Sequence, residues 1–284
     1  MKVGKDFLVY PNLLVIGGQK CGSTWLYSTL KHHPDVFMSE TKELAFFDNK
    51  QQTKENIVEY LNNFKGANSF CYRGEATPGY FCIPAHRQNV PLNVRNLVGG
   101  DVRLILSLRD PIERAISAFF HHFRAGRINA QKGFRDQSHI GGIVEFGRYR
   151  NCFTAWERYF AETAFFITYL EDIRADHSRV SSELFSWLGL NLQAQKGFCI
   201  QANSGFELAL EGERLVIASN SGNAWNRRFW TGALKSDPSR GSPFIEEKDL
   251  EWLQEEFQSD IDFVQRTFGG RSLEWGKKTL VDLV

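Results

Sequence analysis

Residues 13–25 read LLVIGGQKCGSTW, an apolar run that leads into a glycine-rich turn and then into a helix-forming segment. The apolar run predicts a buried parallel strand. Gly17, Gly22 and Thr24 keep the spacing of the phosphate-binding loop G-x-x-x-x-G-K-[ST]. Ser23, however, stands where that loop has its lysine. The stretch therefore predicts an α/β protein with a modified phosphate loop.

The lysine of this loop is Lys20, three residues before the usual lysine position. A lysine placed there meets the group attached at the 5′ end of a nucleotide rather than a γ-phosphate. Backbone N–H groups in the turn and the positive end of the following helix still suit an anion. The loop thus favours a phosphorylated donor other than ATP, and a strand-to-helix turn without a ligand is the alternative.

The composition is that of an ordinary globular chain. Its 284 residues, of which 42% are hydrophobic and 24% charged, fit one α/β domain. A net charge of +1 argues against binding to a nucleic acid polymer or a polybasic membrane attachment. Five cysteines without a CxxC pair indicate reduced thiols. Without a signal-peptide pattern or an apolar run of about 18 residues, we expect a cytoplasmic protein with no membrane span.

Apolar runs alternate with amphipathic segments along the rest of the chain. Buried strands are predicted at 13–16, 102–108 and 164–169, and helices at 24–33, from 111 onward, around 180–188 and at 246–268. Asp110 is the expected N-cap of the second helix, because Pro111 and Glu113 follow it at the first and third positions. This alternation predicts a central parallel sheet flanked by helices, with ligands at the carboxyl ends of the strands. The segment 203–244 has no clear assignment.

Three motifs in the same order resemble the signature set of the sulfotransferases that use 3′-phosphoadenosine 5′-phosphosulfate (PAPS). They are QKCGSTW at 19–25, KELAFFD at 42–48 and RDPIERAIS at 109–117. The resemblance is nearest to the heparan sulfate sulfotransferases and their bacterial relatives. It implies one sulfotransferase domain over residues 1–284, transfer of a sulfonate group by in-line displacement, and release of 3′-phosphoadenosine 5′-phosphate (PAP).

The resemblance also implies a role for the loop after the first strand. The 5′-phosphosulfate would be held by Gln19, Lys20, Cys21, Gly22, Ser23, Thr24 and Trp25. Negative charge grows on the bridging oxygen as the phosphate leaves, and Lys20 among backbone N–H groups would stabilise it most in the transition state. Lys20 is therefore predicted to be catalytic as well as cofactor-binding.

Two further groups of residues are implied in cofactor binding. Arg109 and Ser117 would hold the 3′-phosphate, which a guanidinium can grip in bidentate fashion. Without the loop at Gly17, the same motif reads as a well-capped helix with surface arginines. Arg114 is expected to form a structural salt bridge. The related enzymes have a late element that closes over the nucleotide. Residues that resemble it here, with altered spacing and no lysine, are Phe229, Trp230, Arg240 and Gly241. The segment 203–244 is therefore expected to cover the cofactor or acceptor.

Glu43 inherits the role of general base from the glutamate of the related KE-x-x-FFD motif. A carboxylate within hydrogen-bond reach can accept the proton of the acceptor hydroxyl. A solvated loop carboxylate is the alternative. The rival bases are His122, because other sulfotransferase branches use a histidine, and Glu75, which is either a second catalytic carboxylate or a structural group.

Two departures from the related enzymes bear on the acceptor. Ala45 stands where those enzymes often have histidine, and Ala76 where the heparan-modifying ones carry lysine. We therefore expect a small or neutral acceptor, such as a natural product, a lipid or a sugar hydroxyl, with a nitrogen acceptor left open. No HExxH, paired CxxC or carboxylate cluster with ligand spacing predicts a metal. A P-loop small-molecule kinase and a non-catalytic nucleotide-binding module are the alternatives, and the oligomeric state is open.

Overall fold

The computed structural model describes residues 8–49, 51–82, 89–192, 208–217, 243–269 and 274–284. The strands are β1 (Leu13–Gly17), β2 (Val36–Met38), β3 (Tyr72–Ala76), β4 (Arg103–Leu108), β5 (Phe165–Tyr169), β6 (Leu208–Glu211), β7 (Arg214–Ile217) and β8 (Ile245–Glu246). The helices are α1 (Ser23–Lys31), α2 (Phe46–Asn49), α3 (Lys54–Leu61), α4 (Val90–Val98), α5 (Pro111–Arg124), α6 (Tyr149–Glu157), α7 (Leu170–Ala175), α8 (His177–Trp187) and α9 (Glu247–Phe268).

The chain divides into two compact units. The first comprises Met1–Arg109 and Asn151–Ala202, and the second comprises Asp110–Arg150 and Asn203–Val284. A single sulfotransferase domain over residues 1–284 stays a prediction.

The first unit contains a five-stranded parallel sheet in the order β2-β3-β1-β4-β5. Strand β1 lies at its centre and is buried along its whole length, as its apolar sequence predicts. The chain leaves β1 toward β2 and leaves β4 toward β5, on the opposite side of the sheet. The strand order therefore reverses between β1 and β4, the point at which open α/β sheets bind ligands. The predicted α/β class and central parallel sheet are confirmed.

Helices α1 and α8 contribute to one hydrophobic core cluster with the sheet. Trp25, Leu26 and Leu30 of α1 and Val180, Leu184 and Phe185 of α8 are buried there with residues of β1, β2, β3 and β4. Burial of apolar area at about 25 cal/mol per Å² is the main force that holds the helices to the strands. This packing fixes the start of α1 at the carboxyl end of β1.

The predicted strands and helices agree with the structure to within a few residues at their ends, which is the usual uncertainty of helix boundaries. The first helix, predicted at 24–33, runs from Ser23 to Lys31. Strands β2 and β3 were not predicted, because β2 has three residues and β3 contains the charged residues Arg73 and Glu75.

The second unit contains α5, α9 and a three-stranded antiparallel sheet in the order β6-β7-β8. The Asp110 side chain caps α5 by accepting a hydrogen bond from the Ile112 N–H at 2.8 Å, as predicted. Its other oxygen accepts one from the Gly276 N–H at 3.0 Å. The hairpin of β6 and β7 falls within 203–244 and turns at Gly212, whose φ of 64° favours glycine.

Among the helices of the described residues, none is both long enough and apolar enough to cross a membrane.

Candidate active site

The loop between β1 and α1 lies at the point where the strand order reverses. Gly18 anchors it to the neighbouring strand β4, because its N–H donates a hydrogen bond to the Ser107 carbonyl. Gly17 is required by close packing: a Cβ there would lie 2.7 Å from the Cβ of Phe81 and 2.8 Å from the carbonyl oxygen of Pro78. The first glycine of the motif thus lets the residues that follow β3 approach the phosphate loop.

The loop ends at Gly22, the N-cap of α1, whose φ of 93° lies in the left-handed region. This cap supplies no side-chain hydrogen bond, and the first turn of α1 carries no acidic residue. The first N–H groups of an α-helix have no intrahelical acceptor, and the helix dipole makes that end positive. The start of α1 at Ser23 and Thr24 is therefore suited to hold a phosphate.

Cys21 and Trp25 both make hydrogen bonds within the protein. The Cys21 N–H donates a hydrogen bond to the Gly18 carbonyl at 3.3 Å, and its thiol lies 3.3 Å from the Gln19 carbonyl. The Cys21 carbonyl accepts a hydrogen bond from the Ser107 hydroxyl. Trp25 is 5% exposed in the core, and its backbone N–H donates a hydrogen bond to the carbonyl of Gly22, the N-cap of α1. These contacts hold the loop in shape, and the cofactor contacts assigned to Cys21 and Trp25 stay a prediction.

Gln19 and Lys20 lie on the part of the loop before these anchors, and both are half-buried. The side-chain oxygen of Gln19 is buried without a hydrogen-bond partner among the described residues. Lys20 has a φ of 65°, a conformation that costs a residue with a Cβ about 1–2 kcal/mol.

Glu43 lies at the carboxyl end of β3, the neighbour of β1. Its N–H donates a hydrogen bond to the carbonyl of Ala76, the last residue of β3, at 2.9 Å. Its carboxylate is 59% exposed and forms an ion pair of 2.7 Å with the Lys42 ammonium group. Lys20 follows the end of β1, and Glu43 lies beside the end of the adjacent parallel strand β3, so both belong to the same edge of the sheet.

Backbone strain coincides with these residues. Among the described residues, the positive φ angles outside glycine belong to Lys20 (65°), Glu43 (63°) and Ala45 (51°). Such conformations persist only where the surrounding structure enforces them, and they cluster at functional sites. The two residues predicted to carry the chemistry are therefore both strained.

Glu75 lies near the end of β3 and is fully buried. One of its oxygens accepts hydrogen bonds from the hydroxyls of Tyr60 (3.0 Å) and Tyr80 (2.8 Å), and the other accepts one from the Thr77 hydroxyl (2.7 Å). Burial raises the pKa of the Glu75 carboxyl above its usual value, and the three hydroxyls act in the opposite direction. Tyr60 was missed by sequence reasoning, whereas Thr77 and Tyr80 belong to the same GEATPGY stretch as Glu75.

His122, the rival base, lies in the second unit and is 3% exposed. Its Nδ1 lies 3.0 Å from a guanidinium nitrogen of Arg127, and its Nε2 lies 3.2 Å from the Gly141 carbonyl oxygen. Because a guanidinium only donates, Nδ1 is the acceptor and Nε2 carries the proton. Both ring nitrogens are thus occupied, which argues against a role as general base.

Arg109 and Ser117 are both half-buried. Arg109 follows the last residue of β4, at the same end of that strand as the phosphate loop, and Ser117 lies in α5 of the second unit. Arg114 is fully buried, and its guanidinium donates hydrogen bonds to the carbonyls of Ile143 and Gly142. A structural salt bridge was expected for Arg114, but these hydrogen-bond acceptors are backbone carbonyls.

The late residues Phe229, Trp230, Arg240 and Gly241 lie outside the described residues. Within the part of the chain that the structure describes, there is no group of three or more His, Cys, Asp or Glu side chains placed to hold a metal ion.

Comparison with known proteins bears on the whole arrangement. A family model described as "Sulfotransferase domain" matches residues 10–211. The membrane-associated sulfotransferase kil1 of Dictyostelium discoideum is 34% identical over 119 residues, which are 41% of this chain and 23% of that protein. The bifunctional heparan sulfate N-deacetylase/N-sulfotransferase 1 of Caenorhabditis elegans is 26% identical over 201 residues, which are 63% of this chain and 22% of that protein.

These matches therefore span less than a quarter of the length of either relative. Among solved structures, a sulfotransferase from Alicyclobacillus acidocaldarius aligns over 91% of this chain and 95% of its own with a TM-score of 0.63. At 18% identity this likeness shows a common fold. Because the family model covers most of the chain, the expectation drawn from its three motifs is confirmed: this protein belongs to the sulfotransferase family.

Proposed function

We propose that this protein transfers a sulfonate group from PAPS to a hydroxyl of a small-molecule, lipid or carbohydrate acceptor and releases PAP. The observation that carries the proposal is the placement of Lys20 and Glu43. Each has a positive φ; Lys20 follows the carboxyl end of β1, and Glu43 lies beside the carboxyl end of the adjacent strand β3. A cation for the leaving phosphate and a carboxylate for the acceptor proton are the two groups that this chemistry needs.

Lys20 acts on the leaving group. As the bond between sulfur and the bridging oxygen breaks, that oxygen gains negative charge. The Lys20 ammonium group and the N–H groups at the start of α1 stabilise this charge more in the transition state than in the ground state, which is the condition for faster turnover. Gln19 is assigned to the 5′-phosphosulfate by the same resemblance, and its side-chain NH2 group can donate to that anion.

Glu43 acts on the acceptor. Its exposed carboxylate takes the proton of the acceptor hydroxyl as the new bond to sulfur forms. The Lys42 ammonium group lies 2.7 Å from this carboxylate.

Arg109 and Ser117 hold the 3′-phosphate, the group that distinguishes PAPS from ATP. This assignment rests on the resemblance of residues 109–117 to the family motif and on the place of Arg109 at the carboxyl end of β4. A guanidinium can hold a phosphate through two parallel hydrogen bonds.

The acceptor is proposed to be small or neutral. Ala76 is fully buried in the sheet, so this position presents no cation to a polyanionic sugar. Ala45 likewise offers no imidazole. A nitrogen acceptor, a place in natural product biosynthesis and a cytoplasmic location stay predictions. A screen of acceptors with sulfur-labelled PAPS, read by mass spectrometry for the gain of one sulfonate, would identify the class.

Thermal shift with PAP, ADP and ATP tests the cofactor. We expect a larger stabilisation by PAP than by ADP or ATP; at 100 times the dissociation constant a ligand contributes about 2.7 kcal/mol. Arg109→Ala should weaken PAP binding by about 2–5 kcal/mol, as for the loss of one partner of a buried charge pair. Arg103→Ala is the matched control, because Arg103 lies at the opposite end of β4.

Equal shifts with PAP and ADP would contradict the assignment of the 3′-phosphate site. A larger shift with ATP would favour the P-loop kinase. Binding of PAP without sulfonate transfer to any acceptor would favour a non-catalytic module.

A further inference from the structure

We propose that Glu75 is a positioning residue that fixes the backbone of the loop carrying Glu43, acting through the hydroxyl groups of Thr77 and Tyr80. This role rests on the proposed function, in which Glu43 is the general base. It would explain how an exposed carboxylate on a short loop keeps one orientation.

The hydrogen bonds that connect Glu75 through Thr77 and Tyr80 to the loop at 42–46 form a relay. Its first step is the Glu75 carboxylate itself. It is fully buried at the end of β3 and accepts hydrogen bonds from three hydroxyls, those of Tyr60, Thr77 and Tyr80. An ionised carboxylate only accepts, so each of these hydroxyls must direct its single hydrogen toward Glu75. Hydrogen bonds to a charged acceptor are about twice as strong as neutral ones.

The second step leads from two of these hydroxyls to the loop. With its hydrogen directed at Glu75, a hydroxyl still has lone pairs to accept a hydrogen bond. The Thr77 hydroxyl accepts one from the Ala45 N–H at 3.3 Å, and the Tyr80 hydroxyl accepts one from the Phe46 N–H at 2.9 Å. Hydrogen bonds in such a chain polarise and strengthen one another.

The loop needs these anchors because its backbone is strained. Glu43 and Ala45 have φ angles of 63° and 51°. The Glu43 N–H is held by the Ala76 carbonyl, so the strained segment is fixed before it by β3 and after it by the two hydroxyls. Strain of this kind persists only where surrounding contacts enforce it.

The alternative role, a second catalytic carboxylate, fits the geometry less well. The Glu75 side chain has no exposed surface, and both of its oxygens already accept hydrogen bonds from protein hydroxyls. A general base must come within hydrogen-bond reach of the acceptor.

Tyr60 provides a matched control. Its hydroxyl donates to the same Glu75 oxygen as that of Tyr80, and both tyrosines are buried. Within the described residues, the Tyr60 hydroxyl makes no hydrogen bond to the backbone of residues 42–46. Tyr60→Phe therefore disturbs the carboxylate without removing a loop anchor.

Amide hydrogen exchange of the full chain, read by mass spectrometry over residues 42–46, tests the relay without an acceptor. Glu75→Gln should speed exchange of this segment by about tenfold, the effect of losing one net hydrogen bond. Tyr60→Phe should change the exchange rate of residues 42–46 by less than about twofold. If Glu75→Gln exchanges no faster than Tyr60→Phe, the proposal is overturned. Should Glu75→Gln fail to fold, Thr77→Val against Tyr60→Phe makes the same comparison.

Steady-state kinetics with PAPS and a panel of a phenol, an alkyl alcohol and glucosamine give the second readout. Glu75→Gln should lower kcat with the KM for PAPS unchanged, and Glu75→Asp should restore part of kcat. In the Glu43→Gln background, Glu75→Gln should lower kcat no further, because both changes act through one group. A further loss by the same factor would overturn the proposal. If the wild type transfers no sulfonate, the proposed function fails, whereas the exchange experiment still decides the positioning role.

Discussion

Replacing Glu43 by glycine is expected to give a more stable protein than replacing it by alanine. At a φ of 63°, a residue with a Cβ carries a cost of about 1–2 kcal/mol that glycine avoids. Glycine in turn loses more backbone freedom on folding, which costs about 0.5–1 kcal/mol. The difference favours Glu43→Gly by about 0.5–1 kcal/mol, or about 1–2 °C in Tm for a chain of this size. The ion pair with Lys42 is lost in both variants and cancels.

Thermal and urea denaturation of the two variants measure this difference, and turnover should be lost in both. Lys65 provides the control, because it is exposed and has a φ of −59°: there, glycine should be less stable than alanine. If Glu43→Gly proves no more stable than Glu43→Ala, the loop is not strained at Glu43. The case for a base held in an enforced conformation would then be lost.

Three other predictions concern the rival bases and the buried carboxylate. Glu43→Gln should leave PAP affinity nearly intact and lower turnover about 10²–10⁴-fold. If this variant keeps more than about a tenth of wild-type turnover, Glu43 is not the base. His122→Ala should lower stability by about 1–3 kcal/mol, since it leaves Arg127 and the Gly141 carbonyl without their partner, with turnover of the folded protein unchanged. Loss of turnover at full stability would instead restore the histidine as base. Because burial raises the pKa of Glu75 above its usual 4.5, the folded state binds this proton more tightly than the unfolded state, so its contribution to stability falls as the pH rises above that value. Urea denaturation at a series of pH values above 4.5 should show the wild type losing stability relative to Glu75→Gln, and parallel curves would contradict this.

Much of the first unit could be predicted because its signals are local. The apolar runs of β1, β4 and β5 are bounded by turn residues, and each forms a strand close to its predicted limits. In the second unit, the N-cap at Asp110 was equally predictable, since its hydrogen bonds to the start of α5 reach only two and three residues along the chain. The motifs also placed Lys20 and Arg109 at the ends of their strands.

Residues with distant partners were predicted less well. The sequence did not indicate that the Cys21 carbonyl accepts a hydrogen bond from the Ser107 hydroxyl, 86 residues away. The two nitrogens of His122 are taken up by Arg127 and by a carbonyl 19 residues away, which the helical spacing alone does not indicate. His122 was named as a rival base from its residue type, which says nothing of burial.

The sequence by itself determined the fold class, the family and the strand ends at which the chemistry is proposed. These follow from contacts within a few residues, such as helix caps, apolar periodicity and glycine-rich turns. Only the tertiary structure decided that β3 lies beside β1, that Glu75 is buried under three hydroxyls, and that two of these hydroxyls hold the loop of Glu43. The physical reason is that such neighbours are brought together by closing long stretches of chain, and the hydrophobic packing that stabilises this closure depends on the whole core rather than on any one segment.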